Sequence, residues 1–176
     1  MASNVVQTEV WDIYDVNKQV TGRTMIRDDF HMKPGEYHLS VLGVVKRTDG
    51  RFLITKRDMR KRWAPGHWET SGGACVAGET SYDAVLREVK EESGLDVTDC
   101  PHKLSLTYRR DNPDEGDNYF VDVYLFVKDF NEDEVKLQEE ETCDFKLATL
   151  EEIKAIGEEG KFLHYNSIKA VFEDTI

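Results

Sequence analysis

The stretch GACVAGETSYDAVLREVKEESGL, residues 73–95, decides how this chain is read. Thr80-Ser81-Tyr82-Asp83 offers a hydroxyl cap with an acid three residues on, and Gly94 ends the pattern, so the spacing predicts a helix over residues 81–93. At roughly 100° per residue, Glu88, Glu91 and Glu92 fall within one arc of about 100°, beside an apolar arc of Tyr82, Val85, Leu86 and Val89 that suits core packing. Like charges at i, i+3 and i+4 cost about a few tenths of a kcal/mol per pair. A divalent cation would reverse that penalty, and ligands that are all hard oxygen suit Mg²⁺ or Mn²⁺ better than zinc. Taken alone, the same glutamates also fit a solvated acidic face with Arg87 and Lys90 as surface partners.

Working outward, residues 37–57 read as two strands, 38–45 and 51–55, joined through Asp49-Gly50, a strong hairpin signal. A basic loop with Trp63-Ala64-Pro65-Gly66 follows, then a short strand near residues 67–70 that ends in Ser71-Gly72-Gly73. Beyond the helix, residues 104–109 and 119–127 read as strands around the polar loop 111–117. That loop departs from a calcium-binding loop, because Pro113 holds a ligand position and no glutamate closes it at Asp122, so a solvated turn is expected. A strand over 144–148 and helical segments over 150–157 and 167–173 complete the chain. The order implies an α/β sandwich with a mixed sheet. No repeat, low-complexity tract or linker divides residues 1–176, so one domain is expected, with residues 1–36 as an extension packed on it.

Bulk properties narrow the function. A chain of 176 residues with 39% hydrophobic content can bury one sizeable core. The net charge of −12 argues against nucleic acid or an anionic membrane as a partner. Neither a basic, apolar leader nor a run of 18 apolar residues is present, so neither export nor membrane insertion is expected, and the cytoplasm is the default. Cys75, Cys100 and Cys143 form an odd set without paired spacing, read as reduced thiols. Eight of the 23 basic residues lie between Lys46 and Arg62, either a positive rim or a solvated hairpin and loop.

Gly73, Glu79, Arg87, Glu88, Val89, Glu91, Glu92, Gly94 and Leu95 fit the Nudix box, G-x5-E-x7-R-E-U-x-E-E-x-G-U with U aliphatic, at every specified position. The chain therefore resembles the Nudix hydrolases. That resemblance implies a loop-helix-loop motif in an α/β/α sandwich, with Glu88, Glu91 and Glu92 holding Mg²⁺, or Mn²⁺, and the Gly73 carbonyl as a further ligand. It casts Glu79 and Arg87 as supports that orient the ligand carboxylates. The implied reaction is hydrolysis of a diphosphate bond in a small molecule, in which a metal neutralises the phosphate oxygens and a glutamate accepts a proton from water. The family often draws that base from beyond the box, and Glu141 in Gln138-Glu139-Glu140-Glu141 is the first choice, with an acidic loop of no role as the alternative. Arg57, Arg60 and Arg62 are the expected phosphate contacts, Arg57 foremost. Trp68, like Trp63, is either a pocket wall or core.

Gly22-Arg23, Tyr37-His38-Leu39 and Trp63-Ala64-Pro65-Gly66-His67-Trp68 also resemble the branch related to isopentenyl diphosphate isomerase. His31 and His38 keep the seven-residue spacing of two metal-binding histidines of that enzyme, although each also suits an ordinary polar position. The isomerase cysteine is replaced here by Gly73, and its later glutamate pair by Asn118-Tyr119-Phe120-Val121. Hydrolysis is thus favoured over isomerisation and over a nucleotide-sensing module without turnover. The substrate within these classes stays open, as does homodimer formation.

Overall fold

The longest apolar runs of the chain become the middle of its main sheet, buried from both sides. The structure, a computed structural model, describes residues 8–27, 29 and 31–176. Nine strands follow in order: β1 (Val10–Tyr14), β2 (Val20–Ile26), β3 (His38–Lys46), β4 (Phe52–Arg57), β5 (Trp68–Glu69), β6 (Ser71–Ala74), β7 (His102–Arg110), β8 (Tyr119–Val127) and β9 (Thr142–Ala148). The helix α1 (Ser81–Ser93) lies between β6 and β7, and α2 (Leu150–Glu158) and α3 (Tyr165–Ile168) follow β9. A 3-10 turn, Lys169–Glu173, continues α3, where a single helical segment over 167–173 was expected.

The strands β3 and β8 pair in parallel from His38–Tyr119 to Lys46–Val127, and antiparallel neighbours flank them in the order β5-β4-β3-β8-β7, with β6 on β3 and β9 on β4. One face carries Val41, Val45, Val85, Val89, Leu95 and Phe126, closed by α1; the other carries Val44, Ile54, Val123, Ile153, Ile168 and Phe172, closed by the C-terminal helices. This is the α/β sandwich expected from the order of elements, with helices on both faces of a mixed sheet.

Two further features differ from expectation. The Gly72-Gly73 pair lies inside β6, paired with Leu42 and Val41 of β3, rather than after a strand. Residues 8–27 hold a hairpin, β1–β2, whose β2 is almost entirely exposed and so shows no alternation of apolar and polar residues to read. Trp11 and Ile13 of β1 are buried, the former stacked on His38 at 4.2 Å between ring centres.

Candidate active site

The helix α1 is set by its own ends. Thr80 Oγ1 accepts from the Asp83 backbone N–H at 3.1 Å, and Gly94 takes the left-handed φ of 76° that terminates a helix. Val85 and Val89 press on Gly43 of β3, where a Cβ would come within 2.5 Å of Val89 Cγ2, so the helix sits close against the sheet. That contact rotates Glu88 and Glu92 towards Gly72 and Gly73. The Gly72 amide donates to Glu92 Oε2 at 3.2 Å, and a Cβ on Gly73 would lie 2.5 Å from Glu88 Oε1, so a side chain at position 73 would displace the carboxylate from where it stands.

Arg87 ties the turn to the helix. Its guanidinium gives Glu79 two bonds of 2.8 and 3.0 Å, reaches Glu88 at 2.7 Å and Glu91 at 3.3 Å, and donates to the Ala74 carbonyl at 3.2 Å. The bonds to Glu79 lead in raising the Arg87 pKa above its ordinary value. Around this clamp the carboxylates are crowded. Burial raises the Glu88 pKa against the pull of Arg87. Burial raises that of Glu92 well above 4.5, helped by Glu69, Glu88 and Glu141.

Cations answer most of the remaining charge. Arg57 Nη1 meets Glu69 at 3.2 Å, and Lys61 pairs with Glu141. Glu92 is the carboxylate of this group with no cation partner among the described residues. Three metal-binding side chains do not converge as they stand among the described residues, because Arg87 draws Glu88 and Glu91 to one side while Glu92 turns to Gly72. The donor chemistry still fits a hard divalent cation: the oxygens are carboxylate, two carboxyls are pushed towards protonation by burial and then by their acidic neighbours, and the Gly73 cradle leaves Glu88 space.

A cavity of about 480 Å³ opens beside the cluster. Glu69, Gly72 and Gly73 line it, together with Ser40, Trp63, Tyr108, Tyr119 and His164. Arg57 lies within it, its guanidinium 5.3 Å from the centre of the Trp63 ring. Burial, with Arg110 and Arg57 nearby, lowers the His164 pKa to about 4, so that ring is neutral at physiological pH.

Several expected contacts lie elsewhere. Trp68 packs under Lys56 and against the cluster around Phe162, while Trp63 lines the cavity instead. Arg60 is bound to Asp58 and the Glu139 carbonyl, and exposed Arg62 does not line the cavity. His31 is 82% exposed beside Asp29, whereas His38 is buried between Trp11 and Tyr119 with Asp117 on Nε2, so the two histidines do not act as a pair. Cys75 is buried, and burial with Glu79 and Asp122 pushes its thiol up to about 12. Tyr108, Asp117 and His164 had no signal in the chain, since each meets the site through strands or turns distant in sequence, and Glu69, three residues before Gly72, read only as part of a short strand.

The fold and this site define a small-molecule enzyme built on a loop-helix-loop motif. The NUDIX domain profile matches residues 36–168. The chain is 33% identical to an uncharacterized Nudix hydrolase of Listeria monocytogenes over 165 residues, which span 93% of this chain and 94% of that protein. It is 30% identical to the isopentenyl-diphosphate Delta-isomerase of Kocuria rhizophila over 120 residues, 66% of each. Among solved structures, a protein of Deinococcus radiodurans superposes with a TM-score of 0.69 at 20% identity, covering 87% of this chain and 91% of that one. An Ap4A hydrolase of C. elegans superposes with a TM-score of 0.58 at 22% identity, over 77% of this chain and 93% of that one; both likenesses are of fold. The chain belongs to the Nudix family, as a Nudix hydrolase with an intact box and a likeness to the isomerase branch. No helix among the described residues is long and apolar enough to cross a membrane.

Proposed function

We propose that this Nudix hydrolase cleaves the diphosphate bond of a nucleoside diphosphate-linked or similar organic diphosphate, with Mg²⁺, or Mn²⁺ in its place, on Glu88, Glu91, Glu92 and the Gly73 carbonyl. The observation that carries it is Glu92: a crowded carboxylate without a cation partner, at the Gly72 end of a cavity large enough for an organic group. A bound divalent cation would neutralise the diphosphate oxygens and acidify the attacking water. Arg87 holds Glu88 and Glu91 in reach of one another, and Glu79 holds Arg87. Glu141, close enough to influence Glu92, is our choice for the base that takes the water proton once Lys61 releases it.

Arg57 would exchange Glu69 for a phosphate oxygen. Arg60, occupied by Asp58, and Trp68, packed beneath Lys56, have no part in this scheme. The buried, protonated Cys75 thiol is unsuited to moving a proton on carbon, which weighs against isomerisation. Three unpaired thiols suit a reducing cytoplasm.

The test is release of phosphate or nucleoside monophosphate from a panel of diphosphate compounds with Mg²⁺, Mn²⁺ or EDTA. We expect metal-dependent release that Glu92→Gln lowers by about a hundred-fold or more, mostly in kcat. Equal turnover by the variant, or release that EDTA leaves intact, would sink the assignment.

A further inference from the structure

The cavity lining carries, outside the box, a carboxylate that the proposed hydrolysis does not use. Asp117 lines the cavity with a quarter of its side chain exposed. Its Oδ1 meets His38 Nε2 at 3.0 Å, and its Oδ2 has no hydrogen-bonding partner among the described residues. His38 is fixed on three sides: Trp11 stacks on it at 4.2 Å, Tyr119 lies at 5.4 Å, and the sheet buries it to 6% exposure. Its other ring nitrogen, Nδ1, is buried without a partner, which assigns the proton to Nε2 and makes the ring a donor to Asp117. The loop that carries Asp117 is pinned as well, through Asn118 to the Asn112 amide at 2.7 Å and to the Glu36 carbonyl at 3.2 Å, and through Asp111 to the Tyr37 hydroxyl at 2.6 Å.

An exposed aspartate would need no such support. Here a buried histidine fixes one oxygen and leaves the other without a partner, in the lining of a cavity whose cation among the described residues, Arg57, is already paired with Glu69. A hydroxyl or amino group placed there completes the carboxylate. A hydrocarbon tail would strip its water and give nothing back, a mismatch that costs far more than a missing methylene.

On the footing that the cavity holds the organic end of the hydrolysed diphosphate, we propose that Asp117, positioned by His38, determines specificity by accepting hydrogen bonds from that end. It thereby selects a sugar or base over a prenyl chain. Wild type should then show a lower KM for ADP-ribose, UDP-glucose or CDP than for isopentenyl diphosphate. Asp117→Ala should raise KM for the polar compounds by about ten- to a hundred-fold, with kcat and the KM for isopentenyl diphosphate within about two-fold of wild type. His38→Phe keeps the stacking and loses the bond, so it should raise the same KM values; His38→Gln, which retains a donor, should restore most of the loss. The Asp117→Ala/His38→Phe double variant should be no worse than Asp117→Ala alone.

A merely structural role would lower Tm in these variants and leave the ratio of KM values unmoved. An unchanged ratio in Asp117→Ala, with Glu92→Gln still inactive, overturns the specificity proposal and leaves the hydrolase. If no compound is turned over, calorimetric titration of the same compounds with Mg²⁺ into wild type and into Asp117→Ala reads the preference directly. Binding of none of them, or binding indifferent to Asp117, overturns it.

Discussion

Glu92 shows what a single side chain contributes and at what pH. Burial and the neighbouring Glu69, Glu88 and Glu141 hold its carboxyl well above 4.5 in the folded chain. Below pH 4.5 the group is protonated whether folded or not and leaves stability unchanged. Above it, the unfolded chain ionises first, so folding loses stability as pH rises until the folded carboxyl has ionised too. In EDTA at pH 8, Glu92→Gln should therefore melt higher than wild type, by about 2–4 °C for each 1 kcal/mol relieved, and the gap should close near pH 4. Mg²⁺ should raise the Tm of wild type and leave the variant nearly unmoved. A variant that melts lower than wild type in EDTA at pH 8 would show that Glu92 is not under charge strain. The glutamates themselves were legible from helical periodicity. Their strain was not, because Glu69 approaches Glu92 from β5 and Glu141 from the turn before β9.

At the level of elements, caps and turns were readable where chemistry is local. Thr80 and Gly94 gave both ends of α1 to the residue, and Asp49-Gly50 gave the turn between β3 and β4. What sits beside what was not readable. The parallel pairing of β3 with β8 joins residues about eighty positions apart, and nothing in either strand names its partner. Gly43 is where that arrangement meets α1, since a methyl there would press on Val89 and lie 3.0 Å from Val85. Gly43→Ala should destabilise the fold by about 1–3 kcal/mol through overpacking, read by urea unfolding. It should also lower kcat, because the same displacement carries Glu88 and Glu92 away from Gly72 and Gly73 of β6. Full activity at reduced stability would mean that the helix yields without moving its carboxylates.

Across the whole molecule, the β1–β2 hairpin is joined to the rest by few but specific contacts, and one of them is a charge pair with a buried partner. Asp122, in the middle of β8, is 1% exposed, accepts from Thr107 Oγ1, and is paired with Lys18 Nζ from the hairpin turn. Lys18 adopts a left-handed φ of 60° there, uncommon for a lysine, in a turn braced by two backbone bonds to Asp15 Oδ1. The sequence hid this, since a lysine in a turn is nearly always solvated, and the exposed face of β2 masked the hairpin. Removing the lysine leaves a carboxylate in the core with one hydroxyl to share its charge, and the loss of a buried partner is far costlier than the pair's net worth. Lys18→Met should cost about 2–4 kcal/mol in urea unfolding, somewhat below a fully buried pair because Lys18 keeps 28% of its side chain exposed. Adding Asp122→Asn should recover a large part of that loss, which a simple packing defect at the turn would not allow. A Lys18→Met protein within about 0.5 kcal/mol of wild type would instead assign the docking of the hairpin to Trp11, the backbone bonds of Tyr14 and Ala77, and the Gly78 amide on Asp12.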